Sequence, residues 1–143
     1  MAPDGTKEHR LADGSRLFVH PQGCLQLHDL GGGVALHVCT GISPPVFARH
    51  VQDDGERLIA AYGRAIFFVD SHEAKMMTTE FRDSMTSWVK KRADVAQSHL
   101  LIRSKLWEMA ISVAKLIVGA DSLFVYSNVQ AWEAAGRRFA AGF

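Results

Sequence analysis

The chain has 143 residues, 48% of them hydrophobic and 22% charged, with a formal net charge of +1. That combination fits one globular domain with a substantial core and excludes a disordered or fibrous chain. It also argues against a dedicated nucleic-acid binder: the densest basic cluster is Lys90, Lys91 and Arg92, then Arg137 and Arg138, and both read as solvated helix faces.

Residues 1–14 are polar, with Asp13-Gly14 as a turn signal, and read as a flexible tail ahead of one domain over 15–143. The N-terminus lacks the apolar stretch of a signal peptide. The longest apolar run, Leu106 to Val118, is broken by Glu108 and Lys115 and is too short to span a bilayer. A cytoplasmic protein without a membrane span is therefore expected, with Cys24 and Cys39 as reduced thiols inside strands.

Arg16 to His20 and Cys24 to Leu30 have the character of short strands, joined by the turn Pro21-Gln22-Gly23. Gly31-Gly32-Gly33 has the composition of a phosphate-cradling loop, but a strand, Val34 to Cys39, follows it instead of a helix. The triplet therefore reads as a hairpin turn. Ser43 with Pro44-Pro45 forms a helix start, with Ser43 as N-cap. Val46, Phe47, His50, Val51, Leu58, Ile59 and Tyr62 then recur at helical spacing, with Asp54-Gly55 as an interruption and Gly63 as the C-terminal cap.

The second half alternates more plainly. Ala65 to Val69 is a continuous apolar run ending at Asp70, the pattern of a strand buried on both faces. A helical period runs from Thr78 to Arg92, a strand covers Leu100 to Ile102, and a wide-faced apolar helix covers Lys105 to Val118 with Gly119 as its cap. Leu123 to Tyr126 is the last strand, and Ser127 to Gln130 has capping-box spacing before a final helix. Short connections and right-handed crossovers then predict an α/β fold: a single mixed, mostly parallel sheet with helices packed on it and an N-terminal antiparallel hairpin.

Chemistry is sparse. Seven histidines occur, with His20, His28 and His37 on consecutive strands, but no HxH, HExxH or Cys-x-x-Cys spacing supports a metal site, and surface histidines are expected. There is no nucleophile elbow and no P-loop or kinase signature. No cofactor and no catalytic residue is assigned. Asp70, Ser71, His72 and Glu73, after the buried strand, stand where open α/β sheets place functional groups; as loop and capping residues they need no such role.

On these residues the second half resembles a STAS-type domain of the bacterial anti-sigma-factor antagonist, SpoIIAA-like kind. The resemblance covers roughly residues 33–138. In that family a buried strand ends in Asp, and about eight residues later an Asp-Ser-Ser-Gly-like turn starts a helix. Here the strand ends at Asp70, and Met77-Thr78-Thr79-Glu80-Phe81 falls in that register. Thr78 takes the family's Asp position and Thr79 that of the phosphoacceptor serine, whereas an acidic residue at 78 and a glycine at 80 are missing. Arg103-Ser104-Lys105-Leu106, leading into an Ala-containing helix, is similar to more distant SpoIIAA-like proteins.

The resemblance implies a non-enzymatic regulatory or scaffolding module. Its protein partner, of regulatory-kinase or scaffold type, would dock on loop 71–77 and helix 78–92, with Thr79, Thr78, Ser71, Asp70, Met77 and Glu80 as the phosphoacceptor and contact residues. Thr78 also reads as a plain N-cap with Glu80 beside the helix dipole, and Met76 and Met77 read equally as core. A homodimer through helix 105–118 is a second expectation. Two rival functions remain: a small-molecule or lipid binder lined by Phe47, Phe67, Phe68 and Trp107, and an enzyme built on the Asp70–Glu73 loop.

Overall fold

In the computed structural model, residues 5–119, 121–141 and 143 are described, with backbone alone for residues 105–107, 110 and 113. Hairpin chemistry builds the first half. Strands β1 (Lys7–Arg10), β2 (Arg16–His20), β3 (Gly23–Gly31) and β4 (Val34–Ser43) pair antiparallel in succession. Gly31, Gly32 and Gly33 all take positive φ at the β3–β4 turn, a region a β-carbon disfavours. At Gly33 that carbon would also stand 2.7 Å from the Arg64 carbonyl. The triplet is thus a hairpin turn, as expected, and its strands belong to the main sheet.

From β4 onward the chain alternates helix and strand: α1 (Pro45–Tyr62), β5 (Ala65–Met77), α2 (Thr79–Lys91), β6 (Ala96–Leu101), α3 (Lys105–Val118), β7 (Leu123–Tyr126) and α4 (Val129–Arg137). The pairs β4–β5, β5–β6 and β6–β7 are parallel, and the seven-stranded mixed sheet runs in chain order from β1 to β7. Each parallel step moves the same way across the sheet, so right-handed crossovers place α1, α2 and α3 on one face. The packing agrees. Phe47, Val51 and Leu58 of α1, Trp88 and Val89 of α2, and Ile111 and Val118 of α3 share a core with Ala35, Cys39, Ala65 and Phe67.

Helix α4 covers the other face, where Trp132 and Ala135 pack on Val34, Ile66, Phe68 and Leu101. The run Ala65–Phe68 is apolar throughout because its side chains alternate between these two cores. The close approach of α1 to α2 depends on Gly55, where a β-carbon would lie 2.7 Å from Trp88 Cζ2. Asp54-Gly55 therefore does not interrupt the helix; glycine is there for contact.

Several expected boundaries move. The supposed tail carries β1, whose four side chains are exposed while its backbone pairs with β2. Pro44, not Ser43, is the N-cap of α1, and Asn128, not Ser127, caps α4 by accepting from Ala131 N–H. β6 begins at Ala96, ahead of the expected Leu100. β5 does not stop at Val69: residues 71–77 are strand, not loop. Gly63 and Gly119 close α1 and α3 with positive φ as expected. Among the described residues, no helix is long and apolar enough to cross a membrane.

Candidate functional site

The last partner of β5 on β6 is Leu101, opposite Asp70. Beyond that point β5 pairs only with β4, as Thr40↔Glu73, Gly41↔Ala74, Ile42↔Met76 and Ser43↔Met77, with two register shifts. The strand therefore runs on past the parallel half beside β4, which stays paired to β3 as far as Gly41; only the last pairs, Ile42↔Met76 and Ser43↔Met77, form a two-stranded ribbon, and the pairing is bulged as sheet margins commonly are. Its tip turns into α2. Thr78 N–H donates to the Ser43 carbonyl, and Thr78 Oγ1 accepts from Phe81 N–H at 3.1 Å, satisfying one of the first-turn donors of the helix.

Thr79, the first residue of α2, is exposed, as is Glu80 in the same turn. Met76 is half exposed, whereas Met77 is half-buried and lines an interior cavity. At the ribbon tip Thr79 and Glu80 are thus exposed, while Met77 and Thr78 are half-buried. Asp70 is paired with Val38 and Met77 with Ser43, five β4 residues on, so Met77 lies roughly 17 Å, at 3.3 Å per residue, from Asp70 and less from its neighbour Ser71.

These two also face opposite sides of the sheet. Ser71 is buried on the side of α2, in the wall of the cavity. Asp70 faces α4, in a shallow cleft with Leu36, Trp132 and Phe143. Burial pushes its carboxyl above the ordinary aspartate value, with Arg103 pulling the other way, and Oδ1 accepts from His72 N–H at 2.9 Å. His72 faces Glu73 at 3.5 Å. The four residues Asp70–Glu73 are therefore strung along a strand and do not gather in one loop.

Among the described residues, the most deeply buried carboxylate lies elsewhere. Asp54, on the inner face of α1, receives Arg16 Nη2 at 3.0 Å and Arg57 Nη2 at 2.8 Å on one oxygen, and faces His37 Nε2 at 3.3 Å on the other. Burial alone would raise its pKa; the hydrogen bond and charge of His37, then those of Arg57, outweigh it and hold the carboxyl at about 2. Asp54 ties β2, β4 and α1 together. Sequence reasoning missed it, although Val51, Asp54, Gly55 and Leu58 fall on one helical face.

The expectation of surface histidines fails at two positions. His37 and His99 are buried. The His99 ring stacks between Phe68 and Phe124 at 4.5 and 4.6 Å, and Nδ1 meets Tyr126 OH at 2.9 Å. Burial, aided by Arg138, lowers its pKa to about 4. His20 packs on the Phe47 edge and His28 faces Asp13. No group of three or more metal-ligating side chains forms among the described residues.

A cavity of about 120 Å³ lies between the sheet and helices α2 and α3. Of the aromatic residues expected to line a ligand pocket, Phe67 does so. Phe68 points to the opposite core because neighbouring strand residues alternate, and Phe47 lies in the α1 part of the helix-side core. The Trp107 side chain lies outside the described residues. Cys39 is in the cavity wall, and burial first, then the Asp70 charge, pushes its thiol up to about 12. Both cysteines are free.

No protein-family model and no curated protein matches the sequence. Solved structures do match. The anti-sigma factor antagonist SpoIIAA in its unphosphorylated form aligns with a TM-score of 0.56 at 13% identity, over 80% of this chain and 96% of that one. An uncharacterised protein with a SpoIIAA-like fold from Shewanella loihica gives 0.56 at 10% identity, over 80% and 93%. An anti-sigma factor antagonist from Mycobacterium paratuberculosis gives 0.55 at 13%, over 95% and 97%. The chain has the SpoIIAA-like α/β fold.

Proposed function

We propose that the protein is a non-enzymatic, cytoplasmic regulatory module that binds a protein partner, of regulatory-kinase or scaffold type, through the ribbon tip and helix α2. The reading is supported by the likeness to two anti-sigma factor antagonists. The observation that carries it to particular residues is Thr79, exposed on the first turn of α2 next to the half-exposed Met76. Thr78 is engaged as the cap, so Thr79 is the phosphoacceptor of choice. A phosphate there is tolerated by the domain because first-turn N–H groups and the helix dipole favour an anion. The same charge, added to Glu80, repels an acidic partner surface and costs an apolar one its contact with Met76.

A second copy is the other partner in this reading: Met109, Leu116 and Ile117 expose an apolar strip on α3. The experiment is capture from the native host with wild type, Thr79→Ala and Thr79→Glu, with mass spectrometry of peptide 76–82 and sedimentation of the purified chain. One stoichiometric protein held by wild type and Thr79→Ala but released by Thr79→Glu is expected. Equal retention by Thr79→Glu together with an unmodified peptide refutes the switch, and a monomer at all concentrations refutes the dimer.

A further inference from the structure

We propose that the cavity beneath α2 and α3 is a binding site for a small, neutral, apolar molecule with about the bulk of benzene or toluene. Packed interiors seldom leave a gap larger than one water, and this pocket, partly open to solvent at its Arg82 rim, measures about 120 Å³. An apolar cavity of about 150 Å³ stays dry and takes up benzene, so the size suits a single small ring or a short branched chain.

The walls choose the chemistry. Val51, Phe67, Val69, Leu100, Ile111 and Ala114 supply hydrocarbon from α1, both central strands and α3. The polar groups among the described lining residues are spoken for or neutral. His37 faces Asp54, and its ring lies against Phe67 at 4.6 Å. Cys39 is held as the thiol by burial. Arg82 sits at the exposed rim beside Asp83 at 3.5 Å. The hydroxyls of Ser43, Ser71 and Ser98 are buried and carry no charge. An ionised ligand would surrender its hydration there without a buried counter-charge, which costs far more than apolar contacts return.

The void also has a way in. Met77, Phe81 and Met85, all half-buried, stand at its α2 side, and thioether chains repack at little cost. The site lies on the inner side of α2, apart from the exposed tip at Thr79, so the proposal stands independently of partner binding.

The test is titration of the purified protein with toluene, read by the ε-methyl NMR signals of methionine and by thermal unfolding. Saturable shifts at Met77 and Met85 are expected, with Met76 and Met109 unmoved, and a Tm rise of roughly 4 °C at ten times Kd. Benzoate at pH 7, with a similar ring and a charge, should bind at least tenfold more weakly. Ala114→Leu and Val69→Leu enter the void from the helix and from the sheet. Either, if folded by circular dichroism, should weaken toluene binding at least tenfold. No saturable shift at Met77 or Met85 in the wild type overturns the proposal. Unchanged affinity in a folded filled variant, or benzoate binding as tightly as toluene, does the same.

Discussion

Replacing Asp54 by Asn removes one charge, keeps the shape, and mimics the protonated acid. The carboxyl titrates at about 2 in the fold against an ordinary 3.8, and each unit is worth about 1.4 kcal/mol. The ionised form therefore contributes about 2 kcal/mol, in keeping with a side chain 3% exposed. Between these two values the unfolded chain binds more protons than the folded one, so stability rises with pH. The contribution is complete above about pH 4 and is lost as pH falls through 2. Urea unfolding at pH 7 should show Asp54→Asn destabilised by about 2 kcal/mol, and the difference should shrink steadily from pH 4 to pH 2. Asp54→Ala should cost more, about 3 kcal/mol, because it also leaves His37 buried beside a void. A penalty for Asp54→Asn below about 0.5 kcal/mol at pH 7, or one that is the same at pH 7 and pH 2, refutes the reasoning.

Two further predictions concern the packing that sets the sheet between its helices. His99 titrates at about 4 against an ordinary 6.5. Folding thus favours its neutral ring, and the contribution, up to about 3 kcal/mol, is present above pH 6.5 and lost between 6.5 and 4. His99→Phe should flatten the dependence of urea midpoint on pH across that window; an unchanged slope counts against it. Gly55→Ala should destabilise by about 1–3 kcal/mol although alanine is the better helix former, because the new carbon meets Trp88 and, at 2.9 Å, Phe67. Trp88 cannot swing away freely, since Nε1–H donates to Glu56 at 3.1 Å. A neutral or stabilising result in thermal unfolding would show that the α1–α2 contact relaxes.

The parallel half of the fold was legible because burial writes itself into composition. A strand between two helical layers needs apolar side chains on both faces, and Ala65–Phe68 has them. Where backbone pairing alone holds a strand, composition is silent. The four residues of β1 are all exposed, so nothing in Lys-Glu-His-Arg marks a strand. Residues 71–77 are mixed because the stretch keeps β4 but not β6 as a neighbour: Ser71 is buried and Ala74 packs on the core, whereas Glu73, Lys75 and Met76 are exposed. The Asp54 network was hidden differently. An acid beside a glycine has the look of a helix break, yet its spacing from Val51 and Leu58 places it on the buried face, and buried carboxylates persist when cations reach them.

The extension of β5 past Asp70 changes what the candidate residues can do together. As a loop, residues 71–77 would fold back and let Asp70, Ser71 and Thr79 share one site. As a strand they cannot: even with its two register shifts, Asp70 to Met77 runs the length of five β4 residues, roughly 17 Å, and neighbouring side chains point to opposite faces. Alternation also separates the two methionines at the tip. Met76 is half in solvent and Met77 faces the cavity, so one thioether is open to the surface and the next to the apolar interior. The adjacent threonines divide likewise. Thr78 spends its oxygen on Phe81 N–H, and substituting it by alanine should weaken α2 itself, by about 1 kcal/mol. Thr79 is exposed on the first turn, where a change of charge alters what the helix presents while leaving the cap in place.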